Sequence, residues 1–461
     1  MEVSLDNMEM SFDNMEVSLT EMLQAREERA LRQQQLLGRG QTMVCFTMNI
    51  AGPIKNSPLI EQGYELGMRL LQEQLEVAGL HVSHFEEVRE KTGNECIMLI
   101  EADPLTVKTI TADLEDHAPV GRLFDMDVLR PDGSKVERQE LGRPGRKCLI
   151  CGEEARACAR SRKHSVPELQ EKTASILRAA VDEDDSHEAA RLACQALLYE
   201  AACTPKPGLV DRDNSGSHRD MDIFTFQASA PALYRYFAEC VLIGRRRGTA
   251  EETFSQLRFP GRLAEGAMLR ATGGVNTHKG AIFSVGILCG ALGRLSRKSW
   301  GDSDAVLSEC AAMTKGLVDR DYAGLTADTA RTTGQKLYLD YGITGVRGQA
   351  QDGFPAVRDI GLPRLEAALA DGLSINEAGC AALIAMLAQT VDTNMIHRGG
   401  YELMLQTQEK LRDILSQKEY PDASTLKALD AEFIDKNLSP GGTADLLAMT
   451  FLLHLLRVSS S

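Results

Sequence analysis

"AAVDEDDSHEAARLACQALLYEAA", residues 179–202, marks a change in the character of the chain. Before it, residues 21–165 mix strand and helix signals. From about residue 187 onward Ala, Leu, Gly and Met dominate, and β-branched alternation nearly disappears. "HEAARLACQALLYEAA" has helical spacing, as do "AGCAALIAMLAQTV" (378–391) and "ADLLAMTFLLHLLRV" (444–458). The last two are apolar nearly all round, which marks buried helices. The acid run 182–185 with Ser186 reads as a solvated linker ending in a helix N-cap. The expected architecture is an α+β domain followed by an all-α domain whose polar chemistry sits on loops. At 461 residues the chain exceeds one ordinary core, which also favours two domains.

Composition narrows the class. Hydrophobic residues make up 43% and charged residues 25%, as in a soluble globular protein. A net charge of −15 argues against a broad nucleic-acid or anionic-membrane surface, so an anionic ligand needs a local basic pocket. Eleven cysteines, an odd number, and no secretory leader suit a reducing cytoplasm. The stretches "AIFSVGILCGALG" and "LLAMTFLLHLL" fall short of the roughly 20 residues a bilayer span needs. The duplicated leader "MEVSLDNMEM"/"SFDNMEVSLT" has no targeting pattern, and residues 1–17 read as a disordered tail.

In the first half, "MVCFTMNI" (43–50) alternates, with Val44, Phe46, Met48 and Ile50 facing one way. A helix over 57–79 stops at Gly79, "ECIMLIEAD" (95–103) reads as a second strand, and "RLFDMDVLRPDGSKVER" as a third that turns at Pro131-Asp132-Gly133 into a fourth. In "GRLFDMDV" (121–128), Phe124, Met126 and Val128 share one strand face, and Asp125 and Asp127 the other. Two carboxylates two apart on a strand stand about 7 Å apart at the backbone and can converge on Mg²⁺. Such a pair holds metal against a leaving pyrophosphate, with Gly121 and Arg122 placed to meet phosphate. Glu101 and Asp103 are candidates for a third carboxylate. "KCLICGEEARACARSRKH" (147–164) offers Cys148, Cys151, Cys158 and His164, the residue types of a four-ligand structural zinc site, inside a basic knot of Arg156, Arg160, Arg162 and Lys163. Free cysteines and a solvated basic face are the plainer readings.

"GRLFDMDV", "LGRPGRKCLIC", "CARSRKHSVPEL" and "FTMNIAGPIKNSP" together resemble the apo-citrate lyase phosphoribosyl-dephospho-CoA transferase family over roughly 18–172. The resemblance implies a nucleotidyltransferase-like mixed sheet with helices. It also implies transfer of phosphoribosyl-dephospho-CoA to a serine of the apo acyl carrier (gamma) subunit of citrate lyase, with loss of pyrophosphate.

In the second half, "YEAACTPKPGLVDRDNSGSHRDMD" (199–222) breaks a helix at Pro205 and Pro207 and gathers Lys206, Asp211, His218 and Asp220 on one loop. These are groups for Mg²⁺, triphosphate and a general base. "GGVNTHKGAIFSVGILCGALG" (273–293) is not a Walker A motif, because His278 precedes Lys279 and Gly280 follows it. Asn276 or Thr277 can still cap a helix whose free N–H groups, with His278 and Lys279, grip phosphate. Gly286 and Gly290, one turn apart, signal a close neighbour. "YGITGVRGQAQDGFPAVRD" (341–359) adds Arg347, and "TVDTNMIHRGGYE" (390–402) adds Asp392, Asn394, His397 and Arg398. A buried Asp392 must be paired or bind a cation. Asp445, in "NLSPGGTADLLA", reads as a routine dipole-matching residue.

In this order the five segments resemble the triphosphoribosyl-dephospho-CoA synthase family over about 187–457, also found serving malonate decarboxylase. One departure is Gln349, where the family more often has an acidic residue. The resemblance implies attack of the 3′-dephospho-CoA ribose hydroxyl on C1 of the ATP ribose, with loss of adenine. On this reading Asp211, Asp220, Asp392 and His218 supply carboxylate or base. Lys206, Asn276, His278, Lys279, Asn394 and an Arg347/Arg398 pair bind substrate. The implied division is 1–17 leader, 18–172 transferase, 173–186 linker and 187–461 synthase. The residues alone also fit an ATP-dependent small-molecule kinase, or a non-catalytic assembly factor.

Overall fold

The computed structural model describes residues 16–459. The chain divides into two compact units, Met1–Glu183 and Asp184–Ser461.

The first unit is built on four strands, β1 (Thr42–Met48), β2 (Val82–Glu90), β3 (Gly93–Ile100) and β4 (Phe124–Leu129), in the order β2-β3-β1-β4. Every pairing is antiparallel, so the expected mixed sheet is corrected to an antiparallel one. The missing strand in the sequence reading was β2, whose "VSHFEEVRE" is too charged to stand out. Such charge suits a sheet edge. The turn at Pro131–Gly133 is real, with Gly133 N–H donating to Arg130 O at 2.9 Å and φ +84°. Past it the chain makes only an isolated bridge, Leu129 to Lys135, in place of the expected fourth strand.

Alternation sorts the sheet into two buried faces. Val44, Phe46, Met98, Phe124, Met126 and Val128 pack with Tyr64, Leu71 and Leu75 from helix Pro58–Val77 and Val107 and Leu114 from helix Pro104–His117. Met43, Cys45, Ile97 and Leu99 lie on the other face, under Leu36 of helix Leu19–Leu37. At Gly67 an added Cβ would sit 2.6 Å from both the Phe46 and Phe124 rings, so the helix is locked against the sheet at close range. Of the leader read as disordered, residues 1–15 lie outside the described residues. Val17 is buried and donates its N–H to Pro53 O at 3.0 Å, so the expected disorder does not extend to it.

The acidic run is not a solvated linker. Residues 182–186 lie inside one continuous helix, Val166–Ala202, so Ser186 is a helix-interior residue and not an N-cap. Asp185 and Ser186 are each 2% exposed. Arg245 and Arg297 both reach Asp185, and Arg297 also pairs with Asp184 at 2.8 Å. Buried carboxylates need such partners, which a sequence window cannot show.

The second unit is helical throughout. Helices Lys279–Arg294, Ile375–Leu387 and Gly441–Ser459 form its buried centre. By length and composition the last, at 19 residues, could cross a membrane, contrary to the estimate from its apolar core alone. Its Leu447, Met449, Phe451, Leu452, Leu453 and Leu456 are instead part of the unit's core. The close neighbours inferred at Gly286 and Gly290 are side chains of other helices: Tyr236 Oη would stand 2.2 Å from a Cβ on Gly286, and Leu257 and Met313 2.9 Å from one on Gly290. None of the eleven cysteines is in a disulfide.

Candidate functional site

In the first unit, β4 is an edge strand, and side chains cover its outer backbone. Lys108 Nζ donates to Met126 O at 3.0 Å, and Met126 N–H donates to Glu115 Oε1 at 3.0 Å. This covering leaves Asp125 and Asp127 on the face that also carries Cys45, lining a cleft of about 540 Å³. Lys135, Arg138, Arg146, Lys147 and Arg156 line the same cleft. Asp127 pairs with Lys135 Nζ at 2.5 Å. Arg138 and Arg146 are both anchored by Glu115, at 2.7 and 3.1 Å. Desolvation first, then the Asp127 charge, raises the Asp125 carboxyl above its ordinary value. Two like charges on one strand face favour protonation of one, or a cation between them. The pair therefore fits a divalent ion, with hard oxygen donors pointing into a phosphate-sized, basic cleft.

The other candidates fall elsewhere. Gly121 serves packing, since its Cβ would lie 2.1 Å from Leu114 O. Arg122 is half-buried, and burial and the Arg146 charge lower its pKa. Glu101 accepts from Gln41, and Asp103 caps helix Pro104–His117 through Thr106 N–H at 3.0 Å, so neither is the third carboxylate. Glu115, Arg138 and Arg146 were missed; the only hint was Arg146 inside "LGRPGRK". The ligand atoms of Cys148, Cys151, Cys158 and His164 do converge, all within 4.8 Å of one another.

In the second unit the loop candidates sort into structural and reactive groups. Lys206 is 1% exposed and spends its ammonium on Glu200, through the carbonyl at 2.6 Å and the carboxylate. This corrects its placement as a triphosphate ligand: at 1% exposure the ammonium is enclosed and its charge is already met by the Glu200 carboxylate. Asp211 accepts from the N–H groups of Lys206, Asp213 and Asn214 at 2.8–3.0 Å, so it folds its own loop. Asp392 caps helix Thr393–Gly399 through Asn394 and Met395, and takes Thr443 N–H and Oγ1 at 2.7 and 2.8 Å. Burial raises its pKa against the pull of these four donors, and the donors occupy its oxygens, so it serves as a structural cap. Asn394 lies against Gly441, whose Cβ would stand 2.7 Å from Nδ2. Asp220 is exposed. His218 bonds Ser439 Oγ at 2.9 Å and faces Arg398 at 3.3 Å; desolvation and that cation lower its pKa.

Arg398 and Arg347 do not act as a pair. Arg398 holds Ser217 O and Asn437, whereas Arg347 holds Asp321 at 2.8 Å. Arg347 instead joins Lys279, Arg258 and Arg262 in a cleft of about 290 Å³ walled by Phe254, Phe283 and Tyr236. Gln349 Oε1 accepts from Ala356 N–H, a local turn contact.

The start of helix Lys279–Arg294 brings two strongly perturbed groups, His278 and Asp445, close to one turn. The expected cap at Asn276 or Thr277 is corrected: His278 is the N-cap residue and makes no side-chain cap bond, while Asn276 Oδ1 accepts from Lys279 N–H at 3.3 Å from the turn before it. The next free amide is taken, because Ala281 N–H donates to Asp445. Gly280 makes room for this: a Cβ there would lie 1.8 Å from Asp445 Oδ2. Desolvation, then the Glu200 and Asp392 charges, push the Asp445 carboxyl well above its ordinary value. His278 is 3% exposed, gives or takes a 2.7 Å hydrogen bond between Nδ1 and Ser229 Oγ, and leaves Nε2 buried without a partner. Desolvation, helped by Lys206, pulls its pKa down to about 3. Asp445 and Glu200 were missed because the sequence gives no sign that their helices meet this turn.

The His278 shift predicts an acid-labile fold. From 6.5 down to about 3 the unfolded chain takes up a proton that the folded one refuses. That stability is present above pH 6.5 and is lost as pH falls, at about 1.4 kcal/mol per pH unit. Urea unfolding of the full chain at neutral pH and at about pH 5 should show His278→Gln losing about 2 kcal/mol less than the parent over that interval.

The comparisons match this two-part layout. Residues 17–180 match the family model for apo-citrate lyase phosphoribosyl-dephospho-CoA transferase (CitX). Residues 186–461 match that for ATP:dephospho-CoA triphosphoribosyl transferase (CitG). Protein CitXG of Haemophilus influenzae is 36% identical over 446 residues, covering 93% of this chain and 94% of that one. Protein CitXG of Leuconostoc mesenteroides subsp. cremoris is 32% identical over 451 residues, covering 94% and 96%. The 2-(5''-triphosphoribosyl)-3'-dephosphocoenzyme-A synthase of Haemophilus ducreyi is 40% identical over 333 residues, covering 67% and 99%. The chain therefore belongs to the CitXG family of bifunctional transferases, with a CitX half followed by a CitG half.

Proposed function

We propose that this chain makes the prosthetic group of citrate lyase in its second half and attaches it in its first. The full-length likeness to the CitXG proteins, with both halves in the same order, carries this reading. In the second half the ribose hydroxyl of 3′-dephospho-CoA attacks C1 of the ATP ribose. The bond from C1 to adenine breaks, the new C–O bond forms, the hydroxyl loses its proton and adenine gains one. The triphosphate stays on the product, 2′-(5″-triphosphoribosyl)-3′-dephospho-CoA. Asp445, whose carboxyl desolvation and the Glu200 and Asp392 charges hold well above its ordinary value, donates the proton to departing adenine, as a raised carboxylic acid does in glycoside cleavage. His278 stays neutral and offers Nε2 to the substrate, while Lys279, Arg258, Arg262 and Arg347 bind phosphate in the adjoining cleft.

In the first half, a serine of the apo acyl carrier subunit attacks the α-phosphorus of that product and pyrophosphate leaves. Asp125 and Asp127 act here as a nucleotidyltransferase-like carboxylate pair and would hold Mg²⁺. Bound there, the ion would neutralise charge on the leaving pyrophosphate. Lys135, Arg138 and Arg146 bind the phosphates, and the basic rim suits an acidic carrier protein. Joining the halves raises the effective concentration of a scarce intermediate. The unpaired cysteines suit the cytoplasm as the site of both reactions. Chromatography of spent ATP tests the first reaction: incubation with dephospho-CoA should release free adenine, and release of ADP would mark a kinase instead.

A further inference from the structure

The segment from Gly142 to His164 has almost no hydrophobic reason to be ordered. Helix Ala155–Ser161 is seven residues long, far below the length that holds in isolation, and its one buried residue is Cys158. Around Cys158 the chain builds a small polar core. At Cys148–Gly152 it makes a tight turn: Gly152 N–H donates to Cys148 O at 3.3 Å, and Gly152 has φ +73°. Within that turn Ile150 N–H points at Cys148 Sγ at 3.5 Å, a backbone bond to sulfur that favours a thiolate. Cys151 Sγ and Cys158 Sγ stand 3.3 Å apart. The helix then ends in a left-handed Arg162, with Lys163 N–H returning to Cys158 O at 3.2 Å, and the chain reaches His164. His164 Nε2 is buried with no hydrogen-bond partner, an unusual state for an imidazole nitrogen beside three thiols.

We propose that Cys148, Cys151, Cys158 and His164 bind one zinc ion, and that this zinc holds the wall of the Asp125/Asp127 cleft in shape. Tetrahedral zinc, with bonds of about 2.3 Å to sulfur and about 2.0 Å to nitrogen, spaces its ligand atoms by roughly 3.4–3.8 Å. The four atoms already lie within 4.8 Å of one another, so closure needs about an ångström of side-chain adjustment at the widest pair. Three thiolates and one imidazole give a site of net charge −1, which Lys163, Arg160 and Arg162 on the same segment offset. The wall follows directly from the chain path. Lys147, Gly152, Glu154, Ala155 and Arg156 line the cleft, and each lies within four residues of a proposed ligand. The link to transfer rests on the function proposed above; the metal site itself does not.

Metal analysis of the full-length protein purified without chelator should find one zinc per chain. Cobalt(II) in its place should give the intense visible bands of a tetrahedral thiolate site. Cys158→Ser should abolish both, whereas His164→Cys, which keeps four ligands, should retain them. Removing zinc with a chelator should lower transfer of supplied precursor at least tenfold, restored by added zinc, with adenine release unchanged. No metal together with a Cys151–Cys158 disulfide would overturn the site, as would zinc that persists in Cys158→Ser. Bound zinc whose removal leaves transfer unchanged would overturn its role at the cleft. Bound zinc in a protein that transfers nothing even when fully loaded would count against the functional reading and leave the metal site standing.

Discussion

Asp125→Asn is expected to lower transfer of the prosthetic group to the carrier by a hundredfold or more, while adenine release continues at the parent rate. The argument is electrostatic. Asparagine keeps the size of the side chain but removes one of the two charges that face the cleft on β4. Groups that meet charge developing on a leaving pyrophosphate typically account for about 10²–10³ in rate. Stability should not fall, because Asp125 is a carboxylate whose ionisation is opposed by desolvation and by Asp127. Its neutral replacement relieves that repulsion. The assay supplies synthetic precursor, so the two halves are read separately. Full transfer by Asp125→Asn would remove the pair from the mechanism.

Asp445→Asn is expected to do the converse, lowering adenine release by about 10²–10⁴, the usual range for a lost general acid, with transfer of supplied precursor unaffected. The amide can still accept from Ala281 N–H, so the turn at Gly280 should persist. What is lost is the proton. Because the carboxyl is held above its ordinary value, the parent should release adenine fastest below that raised pKa and slow as pH climbs through it. The variant should lack this limb of the pH profile. Equal rates at all pH values in parent and variant would assign the proton donor elsewhere.

These assignments differ from a reading of residues alone in instructive ways. Asp125 and Asp127 were legible because Phe124, Met126 and Val128 alternate with them, and period-two burial fixes which face each side chain takes. The same logic failed for β2, an edge strand whose charged residues blur the pattern. Cysteine spacing pointed to the cluster at 148–164, since a turn and one helical turn bring such residues together locally. The second unit was harder. Asp392 looked reactive because it is a carboxylate between apolar runs, yet its four donors show a structural cap joining two helices. Asp445 looked routine because its sequence neighbours are a helix start. Only the approach of a distant helix at Gly280, 165 residues earlier, makes it exceptional. Lys206 shows the same blindness in reverse: its charge suggested phosphate, and Glu200, six residues away, had already claimed it.

The most direct test of two coupled reactions is the intact mass of an apo citrate lyase acyl carrier subunit after incubation with this protein, ATP, dephospho-CoA and Mg²⁺. The carrier should gain the mass of one phosphoribosyl-dephospho-CoA group, the gain should slow at least a hundredfold in Asp125→Asn, and it should vanish in a carrier lacking its acceptor serine. An unchanged carrier mass, with ATP and dephospho-CoA present and the protein folded, would contradict the account.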